Sequence, residues 1–207
     1  MRTLFITMLS AFALCCTACA PARQTLNAIP LPPQRIFQSG YSLVPLEEPG
    51  WTIGSRNPVR LLLEKQAKDP DENMAIRAFA QELPPLDSED EFKEFAKSVL
   101  IMEDAAQHAI VTQVTTPLTI KGLSCVRTDT VMEDDGTVRR SSRTDSMIID
   151  VFGVLCKHPN NITGVLVAYS HRHYRENKDP GAAEKAQKLF DSIEFSDLSV
   201  ETRVVGH

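Results

Sequence analysis

MIIDVFGVLC, residues 147–156, is a run of ten residues in which Asp150 is the only charged side chain. Apolar side chains at almost every position predict a strand that is buried on both faces, rather than one with a wet and a dry side. We therefore expect this segment at the centre of a sheet, with a neighbouring strand on each side.

The flanking segments supply those neighbours. Leu123–Met132 precedes the apolar run across a polar turn at 133–145, and Gly164–Tyr174 follows it beyond Pro159. Short polar turns join antiparallel strands, so these three segments predict an antiparallel sheet. Further strands are expected at 51–53, 60–64, 73–83 and 110–115.

The segment 73–83 fits two structures. Asp69-Pro70 is typical of a helix start, and the composition of the segment is also helical. A strand is favoured because Pro84-Pro85 ends the segment immediately before another helix.

Two amphipathic helices complete the expected elements. Ser88 to Glu91 forms a capping box, and the apolar residues Phe92, Phe95, Ala96, Val99 and Met102 follow at helical spacing. The second helix begins at Asp179-Pro180, with one stripe formed by Ala182, Ala186, Leu189 and Ile193. These patterns together predict an α+β fold, an antiparallel β-sheet covered by helices.

This order of elements resembles the PsbP-like fold over residues 44–196. The likeness rests on the strand opening at Trp51, the helix at Ser88, the Cys156–Pro159 turn, the Tyr169–Arg172 strand and the closing Lys188–Phe195 segment. The resemblance implies a sandwich of sheet and helices that serves as a non-enzymatic binding or accessory domain. It transfers no functional residue to this chain.

The first 18 residues resemble the signal peptide of bacterial lipoproteins. Arg2 precedes the uncharged apolar run Leu4–Leu14, and the small residues Thr17 and Ala18 precede Cys19. We therefore predict that the signal peptide is cleaved immediately before Cys19 and that Cys19 is acylated. Two alternatives remain open: acylation at Cys16, and soluble secretion after cleavage at Ala20-Pro21-Ala22.

The N-terminal signal predicts the following domain limits: signal peptide 1–18, lipidated Pro-rich tether 19–43, α+β domain 44–196 and C-terminal tail 197–207. Ala20, rather than an aspartate, follows the predicted lipidated cysteine. By resemblance to Gram-negative lipoproteins, this favours the outer membrane, with the domain facing the periplasm.

The net charge narrows the expected partners. The whole chain carries −5, and removal of the signal with its single charge, Arg2, leaves −6. A surface of this kind lacks the basic footprint that nucleic acid requires, and it does not favour anionic lipid headgroups. We expect membrane attachment through the lipid anchor and an envelope protein as the partner.

Two cysteines, Cys125 and Cys156, remain in the domain after Cys15 and Cys16 leave with the signal and Cys19 is acylated. A single pair of cysteines in an oxidising compartment predicts a disulfide bond. Two separate buried thiols are the alternative.

The chain carries no catalytic motif and predicts neither enzymatic activity nor a cofactor. His171 and His173 share one strand face, and with His158 they are weak candidates for a metal site. Arg139, Arg140 and Arg143 form a small basic patch on the polar turn, a candidate contact for an acidic partner.

Overall fold

A computed structural model describes residues 27–102 and 108–197. The predicted signal peptide, the lipidation site Cys19 and the tail from residue 198 onwards lie outside these residues. In the described part of the chain, no helix combines the length and the apolar composition needed to cross a bilayer.

The described residues form a large antiparallel sheet of eight strands in the order β1-β4-β5-β6-β10-β9-β8-β7. Two meanders make up this order, β4–β6 and β7–β10, and they meet where β6 pairs with β10. The strands are β1 (Asn27–Ala28), β4 (Thr52–Arg56), β5 (Arg60–Gln66), β6 (Asn73–Glu82), β7 (Ala109–Ile120), β8 (Leu123–Asp134), β9 (Met147–Lys157) and β10 (Thr163–Tyr174).

The apolar run at 147–156 forms most of β9, which pairs with β10 on one side and with β8 on the other. Its residues are mostly buried on both faces of the sheet, as the sequence predicts. The ambiguous segment at 73–83 is strand β6, because its two ladders with β5 and β10 outweigh its helical composition.

A second sheet contains three short strands, β2 (Ile36–Gln38), β3 (Tyr41–Leu43) and β11 (Glu194–Phe195). Tyr41 and Leu43 are fully buried in the core. The folded domain therefore begins well before residue 44, and the predicted tether 19–43 overlaps it from residue 27. Strands of two or three residues among prolines have no detectable period, which is why the sequence placed the boundary too late.

Helix α2 (Ala182–Asp191) covers one face of the large sheet, which we call the α2 face. The helix begins three residues after the predicted start at Asp179, whose carboxylate accepts a hydrogen bond from the Gly181 amide at 2.8 Å in the preceding turn. The predicted apolar stripe is buried against the sheet, together with side chains of the small sheet.

Helix α1 (Glu89–Met102) covers part of the opposite face, which we call the α1 face. The Ser88 hydroxyl accepts the Glu91 amide at 3.1 Å, and the Glu91 carboxylate accepts the Asp87 amide at 2.7 Å. The capping pattern is thus present at the predicted place, and it aims fully buried Phe92 and Ala96 into a second core.

Candidate functional site

Cys125 and Cys156 form a disulfide bond inside the core, as the sequence predicts. They are directly opposite each other in the register of β8 and β9, and each is at most 1% exposed. Their Cα atoms are 4.0 Å apart, which is the close approach of a non-hydrogen-bonded pair in an antiparallel ladder. The bond therefore fastens the two strands on the α2 face without displacing a ladder hydrogen bond.

His171 and His173 lie on the α2 face near the end of β10, as the alternation of side chains predicts. Their ring centroids are 4.6 Å apart, and the two side chains are 3% and 1% exposed. His173 donates from Nδ1 to the Tyr174 carbonyl at 2.7 Å and from Nε2 to Asp150 at 3.1 Å. An imidazole that donates from both nitrogens is positively charged, so His173 and Asp150 form a buried ion pair.

The pKa values of the two histidines shift in opposite directions because the groups around them differ. Burial alone would lower the pKa of His173, but the Asp150 carboxylate outweighs it and raises the pKa. Burial and the neighbouring His173 charge lower the pKa of His171. Among the described residues, Nδ1 of His171 has no hydrogen-bond partner. One charged and one neutral imidazole therefore share this buried site.

His158 lies apart from these two histidines, at the opposite end of β9. Its Nε2 lies 2.8 Å from the carbonyl of Ser196, which follows β11. The predicted grouping of His158 with His171 and His173 is therefore not formed. Across the described ranges, no group of three or more His, Cys, Asp or Glu side chains is placed to hold a metal ion.

Arg143 holds the loop between β8 and β9 against the domain. Its guanidinium donates to Glu176 at 2.7 Å and to Asp145 at 3.0 Å. The same group lies 3.4 Å from the centre of the Tyr174 ring. The carboxylates of Glu176 and Asp145 raise the pKa of Arg143, so this side chain stays charged and ties the loop to the domain through ion pairs.

Arg139 and Arg140 also bind within the domain. Arg139 donates to the Asp134 carbonyl at 2.7 Å, and Arg140 donates to the Gln66 side chain at 3.1 Å. The three arginines do lie on one loop, as the sequence suggests. Their guanidinium groups bind neighbouring groups and fasten the loop to the domain, and the contact of these three arginines with an acidic partner stays a prediction.

Two buried carboxylates receive this loop, and sequence analysis missed both. Asp71 is 2% exposed and accepts the Tyr174 hydroxyl at 2.8 Å and the Ser141 amide at 3.2 Å. The Ser141 hydroxyl, together with amide groups and Tyr174, lowers the pKa of Asp71. No local pattern marks Asp71, because the groups that donate to its carboxylate come from segments 69 to 103 positions away.

Asp134 is the second of these carboxylates and is fully buried. It accepts Nε of Arg172 at 2.5 Å and the Thr137 amide at 3.0 Å. Burial alone would raise the pKa of Asp134, but hydrogen bonds from Thr137 and Arg172 lower it. Both carboxylates hold the β8–β9 loop or its flanking strands through hydrogen bonds, and neither lines a described pocket.

β7 forms one edge of the large sheet and pairs, among the described strands, only with β8. Its residues 109–120 include no charged side chain. Ile110, Val111 and Val114 are 44%, 54% and 63% exposed. Natural sheet edges are protected by charges, prolines, bulges or covering elements; β7 has a bulge and a proline but no charge, so the stretch between these two features marks a surface where another chain can bind.

The backbone of β7 is open over only part of its length. Cys125 and Cys156 form a non-hydrogen-bonded pair of the β8–β9 ladder, so the amide and carbonyl groups of Cys125 point towards β7. The orientation of these groups alternates along the strand, so those of the next residue, Val126, point towards β9. Pro117 lies opposite Val126, and its main-chain groups therefore point away from the sheet. Proline has no amide hydrogen to donate there. By the same alternation Gln113 and Thr115 face their amides outwards, which leaves 109–116 as the accessible part of the edge.

An open pocket of about 390 Å³ lies over β5 and β6, away from the strands that α1 contacts. Arg60, Arg77 and Phe79 are among its lining residues. The Arg60 guanidinium lies 5.4 Å from the centre of the Phe79 ring. Two cations beside an aromatic ring suit an anionic ligand with a flat apolar part.

No protein-family model matches this chain, and no curated protein matches it. Among solved structures, the fold is similar to the solution structure of cyanobacterial PsbP (CyanoP) from Synechocystis sp. PCC 6803. The two share 13% sequence identity with a TM-score of 0.48, over 79% of this chain and 92% of that chain. The chain thus has a weak PsbP-like fold resemblance, which concerns the fold alone.

Proposed function

We propose that this protein is a non-catalytic lipoprotein of the bacterial envelope whose α+β domain is an accessory or protein-interaction module. The observation that carries this proposal is the uncharged, exposed edge of β7 over residues 109–116. A partner can add an extended segment to such an edge through main-chain hydrogen bonds, and can gain specificity from the side chains beside it.

The bulge and the proline of β7 set limits on this contact. The register of β7 and β8 shifts between Ile110 and Thr112, which twists the start of the strand. Pro117 removes a donor from the other end. A short partner segment centred on Val114 fits between these two features, whereas unlimited stacking of strands does not.

A photo-reactive cross-linker at position 114 tests this surface in intact envelopes. Position 138 is the matched control, since Val138 is also a valine, is 87% exposed, and lies on the loop between β8 and β9. We expect a discrete protein adduct from position 114 that is absent from position 138. No adduct from position 114, or the same adducts from both positions, would contradict an interaction through β7.

The anchor is the second part of the proposal, and the N-terminal sequence supports it. Labelling with a palmitate analogue should mark the wild type, and Cys19→Ser should abolish the label and release the domain from outer membranes. Loss of the label in Cys16→Ser alone would identify the other cysteine as the site. An unlabelled wild type would show that the chain is secreted in soluble form.

The pocket over β5 and β6 favours one alternative function, the binding of a small ligand. Arg60 beside the Phe79 ring suits an aromatic anion, so a thermal-shift panel of aromatic carboxylates and phosphates is the direct test. Binding that raises the melting temperature of the wild type and not of Arg60→Gln would support this alternative. Elemental analysis of the purified protein would test the metal-binding form of the same alternative.

A further inference from the structure

The described chain enters the fold beside an exposed apolar surface. Leu31 and Phe37 are 50% and 61% exposed. Phe37 also lines a pocket of about 230 Å³ together with Ile29, Ile36 and Ile53. We call Leu31, Phe37 and the mouth of this pocket the N-terminal patch. An exposed phenylalanine beside an open apolar pocket marks a surface that another apolar phase can cover.

Phe37 is held outwards by its strand. Its neighbour Gln38 is 4% exposed and donates to the main-chain oxygens of Asn57 and Arg60, both at 2.8 Å. Because side chains alternate along a strand, this inward anchor fixes Phe37 on the outer side. The exposure of Phe37 is therefore imposed by the fold rather than by a freely rotating loop.

A cation accompanies the apolar side chains. Arg56 is exposed, and its guanidinium donates to the Phe37 carbonyl at 2.9 Å and to Gln38 at 3.3 Å. These two bonds leave other N–H groups of the fork available to a phosphate oxygen. A phenylalanine whose carbonyl accepts from this arginine matches the two layers of a lipid surface, the acyl boundary and the headgroups.

The position of the patch relative to the anchor identifies the occupant. Ala28 lines the pocket, and only residues 20–26 separate the described chain from Cys19. A fully extended chain over these eight steps reaches about 28 Å at most. A domain of this size is about 40 Å across, so the surface near residue 27 is the one that such a tether keeps close to the bilayer.

We propose that the N-terminal patch rests on the phospholipid surface to which the tether is anchored, with Phe37 and Leu31 entering the acyl boundary. This inference depends on the proposed lipidation of Cys19. The patch need not bind vesicles strongly by itself, because the anchor makes the contact intramolecular. The net charge of the mature chain is negative, so the contact depends on apolar insertion and does not require anionic lipid.

The test uses lipidated full-length protein reconstituted in phosphatidylcholine vesicles that contain brominated acyl chains. The native Trp51 is 1% exposed and supplies a constant background. Phe37→Trp places a reporter in the patch, and Leu31→Trp is a second reporter should the first variant fold poorly. Val138→Trp is the control, since the β8–β9 loop lies at the end of the sheet where β5 ends with Gln66, whereas Arg56 lies beside the other end of β5.

We expect bromolipid to quench the reporters at 37 and 31 at least about twofold more than the reporter at 138, since bromine quenches only tryptophan inside the acyl region. Phosphatidylglycerol should not increase the quenching. Equal quenching at 37 and 138 in protein that carries its lipid would overturn the inference and leave the proposed anchor intact. Reporters shielded from both bromolipid and aqueous acrylamide would show that protein covers the patch, which also overturns it.

Anchor failure has a different signature. If palmitate labelling shows no lipid on the wild type, the proposed attachment is wrong. Because the inference depends on the anchor, an unlabelled wild type overturns the membrane contact as well, whereas equal quenching at 37 and 138 in lipidated protein overturns the contact alone.

Discussion

Reduction of the Cys125–Cys156 bond is the perturbation with the most definite expected cost. The bond closes a loop with a sequence separation of 31 and lies in the core beneath α2. Reducing the wild type is cleaner than substituting the cysteines, because both side chains keep their volume and no cavity forms. Reduction then acts mainly on the unfolded chain, whose conformational entropy increases because the loop is no longer closed.

The magnitude follows from that loop length. In the chain-entropy relation, a loop of 31 residues contributes about 3.7 kcal/mol to the free energy of unfolding at 25 °C. For a domain of this size, each kcal/mol shifts the melting temperature by roughly 2–4 °C, so reduction should lower it by about 7–15 °C. The reduced protein should still fold, because two apolar cores remain on the two faces of the sheet.

Urea unfolding of oxidised and reduced wild type, followed by Trp51 fluorescence, measures this difference. Mass spectrometry after alkylation in urea confirms two free thiols in the reduced sample and none in the oxidised sample. Unfolding curves that coincide would refute the loop-closure reasoning, provided that the thiol count confirms reduction. A reduced chain without a cooperative transition would refute the expectation that the cores suffice.

Three further changes have expected outcomes. Burial lowers the pKa of His171 in the folded protein below 6.5, so the unfolded chain binds this proton first as the pH falls. The contribution of neutral His171 to the free energy of unfolding is therefore present above about pH 6.5 and is lost as the pH falls below it. His171→Gln should then flatten the decline in melting temperature between about pH 6.5 and 5. An unchanged slope would show that this ring does not control the decline. Ser88→Ala removes the cap of α1 and should cost about 1 kcal/mol in urea unfolding, and no measurable cost would mean that the cap is dispensable. Asp134→Asn leaves the Arg172 guanidinium without its buried carboxylate partner and should lower the free energy of unfolding by about 3 kcal/mol or more. Glu184→Gln, at an exposed ion pair, is the control and should leave the urea midpoint unchanged. Equal effects of the two substitutions would contradict the argument from burial.

The centre of the sheet could be predicted from the sequence because its signals are local and redundant. An apolar run of ten residues, two cysteines placed symmetrically about a polar turn and two amphipathic helices all indicate the same antiparallel arrangement. The structure confirms β9 as a central strand, β6 as a strand and the disulfide between β8 and β9. Each of these features depends on pattern within a few residues or on a simple count of thiols.

The start of the domain and the fastening of the β8–β9 loop could not be predicted in the same way. Strands β2 and β3 are three residues each, too short for a period, and they are strands because of distant partners. The role of Arg143 depends on Glu176, which is 33 positions away. A basic run on a polar turn has the same local pattern whether it faces solvent or meets buried acids.

The pairing of β6 with β10 has a consequence for how the chain reaches this fold. The nearest paired residues, Glu82 and Thr163, are about 80 positions apart, so this ladder closes a very long loop. During synthesis, β4–β6 emerges before β7–β10 and keeps an open edge on β6 until β10 arrives. We expect millisecond-to-second folding limited by the docking of the two meanders, and an early β6 edge that is exposed to pairing with other chains until β10 docks.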